Sequence, residues 1–370
     1  MIFRSTYNRP IFLIGNGVRT ADAVELLHDI ARKTHIPILT TMVGVDIAQD
    51  DLHIGFIGTH GNRVANIILN ECDLIISIGA RLGIRQVGRD KMIFAPKSDL
   101  IRVDIDEFEL SRKIKDNERQ YRMDAKDFLF QLLNENIQDY SEWNEKCRKA
   151  KVFLEGFDIT EGNEAVRVIS DLLPANPIVT VDVGQNQCWC AQSLVLKGYE
   201  GRILLGGGYG TMGCGLPYAI GASIASKNGK VFCLCGDGGF QMNIQELETV
   251  RRENLPIKII ILNNRVLGKI SETQRNDLDG RFANTTESGG YTVPDFEKIS
   301  LAYGIKACTL NSYHELYNKK KWFEDDEPCL MNIMLKQDSF LKPKIQFESG
   351  EILPKLPNNA CDNVIEILNS

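Results

Sequence analysis

Gly236-Asp237-Gly238-Gly239 follows an apolar run, Val231–Cys235, and 27 residues after that aspartate stands Asn264. Asn264 closes a second apolar run, Ile257–Leu262, with Asn263 before it. Both runs read as buried strands, with Asn243–Arg252 as a helix between them. In a doubly wound sheet ligands sit at the carboxyl ends of the strands. Asp237 leaves one such end and Asn264 leaves another. A carboxylate, an amide oxygen and a nearby backbone carbonyl are hard oxygen donors, suited to Mg²⁺ with water and phosphate oxygens completing its shell. Glycines at 236, 238 and 239 let the backbone approach a phosphate closely. The helix that follows offers its free N–H groups to the same anion. The chemistry to expect is a metal-bound diphosphate. Gly-Asp-Gly alone is an ordinary strand–helix turn; the asparagine at the second strand end is what singles it out.

The elements that must position these residues alternate along the chain. Pro10–Ile14, Ile36–Thr41, Leu74–Ile78 and Leu100–Ile105 read as strands, and Ala21–Lys33 and Asn62–Asn70 as helices. Lys113 to about Glu155 is highly charged and reads as one or two surface helices bridging two domains. The alternation then restarts. Ala165–Leu173, Leu216–Ser226, Pro294–Tyr303 and Tyr313–Glu324 have helical character, and Ile178–Val183, Ile305–Leu310 and Leu330–Leu335 that of strands. This pattern predicts an α/β protein of two doubly wound parallel-sheet domains. The expected boundaries are a Rossmann-like domain over 9–115, a helical linker over 116–160, a diphosphate-binding domain over 161–337 and a C-terminal arm over 338–370. The arm reads as extended, with one final helical turn.

Composition narrows the function. The chain has 370 residues, 43 Lys+Arg against 49 Asp+Glu, and a formal net charge of −6. A nucleic-acid binder carries a basic footprint, so none is expected. No apolar run is long enough to span a bilayer, and no membrane association is expected. The first ten residues lack a leader pattern, which predicts a cytoplasmic, reducing compartment. The ten cysteines then read as buried or free thiols.

Further stretches carry a family resemblance. Asp237 with Asn264 looks like the thiamine-diphosphate binding motif. Gly184-Gln185-Asn186-Gln187-Cys188-Trp189 resembles the Gly-Gln-His-Gln-Met-Trp segment of the acetolactate synthase-like enzymes. Gly207-Gly208-Tyr209-Gly210-Thr211-Met212-Gly213-Cys214-Gly215-Leu216-Pro217 resembles their Gly-Gly-Leu-Gly-Thr-Met-Gly-Tyr-Gly-Leu-Pro segment. Gly15-Asn16-Gly17, Gly58-Thr59-His60-Gly61, Gly79-Ala80-Arg81 and Val103-Asp104-Ile105-Asp106 resemble their central domain. The resemblance runs from about Arg9 to Leu335.

It implies thiamine diphosphate and Mg²⁺ as cofactors. Asp237, Asn264 and the Val266 carbonyl would be the metal ligands. Gly238 and Gly239, with Gly236, Gly184, Gln185 and Asn186 beside them, would meet the diphosphate. Met212 would support the bent cofactor, and the Gly210 and Met212 backbones would meet its aminopyrimidine. Leu267, Gly268, Lys269 and Ile270 would line the substrate side. The implied reaction is decarboxylation of a 2-oxo acid, with ligation to a second carbonyl. Asn186 stands in place of the family's His, Lys269 in place of Met, Thr273 in place of Trp and Gly239 in place of Ala. Lys269 places a charge close to the substrate side, and the Phe282-Ala283-Asn284-Thr285 region with the basic tail near Lys342 and Lys344 suits an acidic or sugar-derived carbonyl substrate.

The resemblance also brings FAD into view for the first domain, where glycines 15, 17, 58 and 79 with Arg81 and Arg85 lie at the family's contact positions. Asp104 could accept from a ribose hydroxyl. Gly83 replaces a carboxylate of that pattern, and a nucleotide-free spacer is the other reading. No catalytic residue is expected in this chain. The family's activating glutamate lies on an N-terminal pyrimidine-binding domain that the sequence does not match. The chain would therefore act with a separate pyrimidine-domain chain, as a homo-oligomer, or both. The alternatives are a non-catalytic remnant that only binds thiamine diphosphate, and a regulatory protein binding FAD or another nucleotide through the first domain.

Overall fold

Each half of the sequence builds a six-stranded sheet in which every pairing is parallel. The structure, a computed structural model, describes residues 6–48, 51–198, 200–227, 229–346 and 348–370. Residues 1–159 with 342–370 form one compact unit, and 160–341 a second. The α/β, doubly wound class expected from the alternation is the one adopted.

The first sheet comprises β1 (Pro10–Ile14), β2 (Ile38–Thr40), β3 (His53–Phe56), β4 (Leu74–Ile78), β5 (Asp99–Asp104) and β6 (Glu118–Arg122). Their order, β3-β2-β1-β4-β5-β6, is that of a Rossmann-like sheet. β1 and β4 are wholly buried, as strands covered on both faces must be. Helix Val24–Thr34 turns Leu27, Ile30, Ala31 and Thr34 inward, the three-and-four spacing of an amphipathic helix. It ends at His35, whose left-handed φ of 53° closes the last turn.

Residues 113–155 differ from the expected surface helices. Glu118–Arg122 is an edge strand that pairs with β5. Its polar sequence hides it, because an edge strand needs no continuous apolar run. Arg102 of β5 is buried and holds this edge, donating to the Arg112 and Glu109 carbonyls at 2.9 and 3.0 Å. The helices Ala125–Leu133 and Ser141–Leu154 bury Phe128, Leu129, Leu132, Trp143, Cys147, Ala150 and Leu154 in the first unit's core.

The second sheet comprises β7 (Ile178–Val181), β8 (Arg202–Leu205), β9 (Val231–Gly236), β10 (Ile257–Asn263), β11 (Lys306–Leu310) and β12 (Cys329–Met334). Their order is β11-β12-β10-β9-β7-β8. After β7 the chain adds β8 on one side and β9 on the other, so the winding reverses between β7 and β9. β10 is buried along its whole length. Each of its fully buried isoleucines contributes roughly 1.5–3 kcal/mol. Lys258 within it is 0% exposed and is met by Asp325 at 2.6 Å.

The C-terminal segment also differs from expectation. After β12 the chain forms a two-stranded antiparallel ribbon, β13 (Lys344–Ile345) with β14 (Ile352–Leu353), and then a helix, Asn358–Asn369. Ala360, Val364 and Leu368 form the buried stripe of that helix, and Val364 and Leu368 join the first unit's core. Ile345 N–H donates to the Thr59 carbonyl, and Arg63 donates to the Pro354 carbonyl at 2.7 Å and pairs with Asp158. All ten cysteines are free. Among the described residues no helix is long and apolar enough to cross a membrane.

Candidate functional site

The loops that follow β7, β9 and β10 converge where the second sheet reverses its winding, the position at which an open α/β sheet leaves a crevice. β9 pairs with β7 on one side and β10 on the other. Gly236 lies opposite Leu262, so Asp237 and Asn264 emerge from adjacent strand ends.

Asp237 is 2% exposed. Its Oδ2 accepts the Arg265 N–H at 2.8 Å and its Oδ1 accepts the Tyr291 hydroxyl at 2.7 Å. Burial pushes its pKa up to about 6, against the pull of the Tyr291 hydroxyl and the Arg265, Gly238 and Asn264 N–H groups. Asn264 donates through Nδ2 to Gln185 Oε1 at 2.8 Å. Gln185 in turn donates to the Ser339 carbonyl at 3.1 Å. Asn264 Oδ1 receives the Val266 N–H at 3.3 Å. The donor groups expected at the strand ends are therefore together, with their planes held by hydrogen bonds.

Asp182 follows β7, and sequence reasoning assigned it no role. Its carboxylate accepts the Gly213 and Cys214 N–H groups at 3.2 and 3.1 Å. Asn243 Nδ2 donates to the Gly213 carbonyl at 2.7 Å from the other side. These bonds hold the turn that carries Met212. Burial raises the Asp182 carboxyl above its ordinary range, opposed by the Val183, Cys214 and Gly213 donors.

Around the glycine turn, a Cβ on Gly238 would meet Leu267 Cδ2 at 2.3 Å, the Tyr291 hydroxyl oxygen at 3.0 Å and Met212 Cε at 3.6 Å. Met212, Leu267 and Tyr291 thus pack so closely on the turn that no side chain fits at 238. The helix starting here is five residues long, Asp237–Gln241, and the helix expected over Asn243–Arg252 is a 3₁₀ turn, Ile244–Glu246, followed by an α-helix, Leu247–Arg252. Asn186 turns inward: its Nδ2 donates to the Asp182 carbonyl at 2.9 Å, and a longer contact reaches the Leu234 carbonyl. It ties β7 to β9. Gly184 starts the helix Gln185–Ser193, which sequence periodicity did not reveal because that helix is buried nearly all round. Val266 and Gly268 sit beside Asn264 at the entry to helix Gly268–Asp277.

Comparison with known proteins agrees with this geometry. The family described as thiamine pyrophosphate enzyme, C-terminal TPP binding domain, matches residues 182–333. The thiamine pyrophosphate enzyme central domain matches residues 5–132. The chain belongs to the thiamine pyrophosphate enzymes. It is 34% identical over 304 residues to the acetolactate synthase isozyme 2 large subunit of Escherichia coli, covering 80% of this chain and 54% of that protein. It is 35% identical over 368 residues to a probable acetolactate synthase large subunit of Methanocaldococcus jannaschii, 94% of this chain and 59% of that protein. An acetolactate synthase large subunit of Lactococcus lactis is 30% identical over 351 residues, 92% of this chain and 60% of that protein. The chain thus spans little more than half the length of these relatives.

In this member of the thiamine pyrophosphate enzyme family the binding-domain match falls in the second unit, and the donor set there suits a diphosphate-bound metal. Asp237 and Asn264 bring a carboxylate and an amide oxygen, both hard oxygen donors, to adjacent strand ends. Among the described residues no group of three or more His, Cys, Asp or Glu could hold a metal by itself. A centre with one carboxylate, relying on phosphate oxygens, has no need of such a cluster. Lys269, on the expected substrate side, pairs with Glu272 at 3.1 Å, so its charge is matched within its own helix.

Among the described residues of the first unit, the glycines at the expected flavin contacts are taken up by loop packing. A Cβ on Gly15 would meet the Gly79 carbonyl oxygen at 2.1 Å, and one on Gly58 the Arg85 carbonyl oxygen at 2.5 Å. These glycines let loops pack against each other. Arg81 pairs with Glu109 at 2.8 Å, and Asp104 accepts the Asp106 N–H at 3.0 Å. The pocket beside Gly58, Arg85 and Ile345 holds about 50 Å³, against roughly 300–1,000 Å³ for a ligand pocket. These residues do not fit a flavin dinucleotide.

Proposed function

We propose that this chain binds thiamine diphosphate through Mg²⁺ and works in an acetolactate synthase-like decarboxylation of a 2-oxo acid, with ligation to a second carbonyl. The observation that carries this reading is the meeting of Asp237 and Asn264 at adjacent strand ends beside the glycine turn 236–239. Asp237, Asn264 and the Val266 carbonyl hold the metal. Gly236, Gly238, Gly239, Gly184 and Gln185 receive the diphosphate, and Asn186 braces their loops. Met212 and the Gly210 backbone form the support for the organic part of the cofactor. Leu267 and Gly268 flank the reacting end.

When bound, thiamine diphosphate supplies the carbon nucleophile and the electron sink for the reaction. The chain's own residues bind and orient. The buried Asp237 and Asn264 set the metal's position from rigid strand ends, and Asp182 sets the height of the Met212 turn. A glutamate from a pyrimidine-binding domain completes the site, whether that domain lies on the same longer polypeptide or on another chain. The relatives are named large subunits, which supports a further, separate subunit as partner.

Calorimetry tests the binding step. Thiamine diphosphate should bind in the presence of Mg²⁺, and Asp237→Ala or Asn264→Ala should weaken that binding at least tenfold. Absence of binding by the unaltered chain overturns the reading. Co-expression with a pyrimidine-binding domain, assayed on a panel of 2-oxo acids, tests the reaction. Binding without CO₂ release from any of them would leave a cofactor-binding remnant.

A further inference from the structure

The segment 278–295 joins helix Gly268–Asp277 to helix Phe296–Ala302 and contains one short 3₁₀ turn, Glu287–Gly289. A connection of this length in a compact unit is uncommon, and such loops are usually functional. This one is folded tightly on itself. Asn284 N–H donates to the Gly289 carbonyl at 2.8 Å, and Tyr291 N–H to the Thr286 carbonyl at 2.9 Å. It is also pinned to the metal-site helix: Leu267 N–H donates to the Thr285 carbonyl at 2.9 Å, and Gln274 Nε2 to the Ala283 carbonyl at 3.2 Å. Thr285 itself is 3% exposed. The effect of all these bonds is to carry Tyr291 across onto Asp237, 54 residues earlier in the chain.

Two donors then hold the Asp237 carboxylate by different oxygens, the Arg265 N–H on Oδ2 and the Tyr291 hydroxyl on Oδ1. One donor would leave the carboxylate free to rotate about its Cβ–Cγ bond. Two on separate oxygens fix its plane, and each oxygen keeps a lone pair for a cation. The same hydroxyl lies 3.0 Å from where a Gly238 Cβ would stand, so it also packs against the glycine turn.

We propose that Tyr291 is a positioning residue of the metal–diphosphate site, holding the Asp237 carboxylate in the orientation that ligates the divalent cation. This rests on the proposed cofactor reading. It assigns a function to the 283–291 loop, which lies outside the Asp237–Asn264 motif. Partners that orient a metal's ligands typically change metal affinity by 10–100-fold when removed.

The test is a titration of Mg²⁺ at fixed thiamine diphosphate, followed by calorimetry, for the unaltered chain and for Tyr291→Phe. The variant loses only the hydroxyl and keeps the ring. The Mg²⁺ half-saturation should rise about tenfold or more, while the thermal midpoint measured without either ligand stays unchanged. Binding of thiamine diphosphate at saturating Mg²⁺ should fall much less, which a general loss of folding would not produce. An unchanged or lowered Mg²⁺ requirement overturns the proposal; a lowered one would mean that the hydroxyl only fills the cation's place. If the unaltered chain binds nothing, the cofactor reading fails and takes this proposal with it. If it binds and Tyr291→Phe binds equally, only this proposal fails.

Discussion

A Cβ on Gly239 would stand 1.7 Å from Asp182 Oδ2. The two residues leave the ends of β9 and β7, the strands between which the sheet reverses its winding. The absence of a side chain at 239 is what lets the Asp182 carboxylate reach beneath the glycine turn and accept the Gly213 and Cys214 N–H groups.

Gly239→Ala should therefore destabilise the second unit by about 1–3 kcal/mol through overpacking. Asp182→Ala should also destabilise it, by leaving two backbone donors without their acceptor. Because the alanine at 182 clears the space that alanine at 239 needs, the double variant should lose less than the sum of the two. Urea unfolding of the four proteins measures this coupling, and simple additivity would contradict the contact.

Lys258 is buried in β10 and depends on Asp325 for its charge. Removing the partner strands a buried cation, so Asp325→Ala should cost about 3–5 kcal/mol. Lys258→Met removes the charge along with the need for a partner and should cost under about 1.5 kcal/mol. Equal losses in chemical denaturation would count against this account.

The same cluster sets an acid limit. Burial raises the Asp325 carboxyl, but hydrogen bonds and charges from Lys258 and Lys306 outweigh it and bring the pKa from 3.8 down to about 2. A carboxylate with a depressed native pKa stabilises the fold above its unfolded value and loses that contribution as pH falls through the native one. That contribution should thus be present at pH 5 and disappear between about pH 4 and pH 2. Unfolding free energies across this range should fall more steeply for the unaltered chain than for Asp325→Asn.

Arg63 is 5% exposed and joins three stretches of chain: its own helix, Asp158 at 2.7 Å and the Pro354 carbonyl. Arg63→Ala should leave Asp158 and the ribbon without their link. Limited proteolysis should then cut within 342–357 several times faster than in the unaltered chain, with the second unit's fragments unchanged. Equal cutting rates would show that the C-terminal helix alone holds the arm.

Much of the fold was legible because buried parallel strands are continuous apolar runs and helices repeat every three or four residues. Pro10–Ile14 and Leu74–Ile78 coincide with β1 and β4. Glu118–Arg122 was not legible, since an edge strand presents polar side chains and takes its identity from its neighbour β5. Helix Gln185–Ser193 was hidden because burial on nearly all sides erases the amphipathic period. The length of the final helix, Asn358–Asn369, was not legible, since its first five residues hold a single buried apolar position, Ala360, among polar ones.

By itself, the sequence determined the kind of protein and the donors at its centre. Asp237 and Asn264 are named by residue type, spacing and position after apolar runs, all local properties of the chain. Only the tertiary structure decided what orients them. Asp182 reaches the Met212 turn, Gly239 yields to Asp182, and Tyr291 comes back over Asp237 through contacts 31 to 57 residues apart in sequence. No periodicity or spacing encodes such contacts. They follow from which strands lie side by side, and that order is set by burying both faces of the sheet at once.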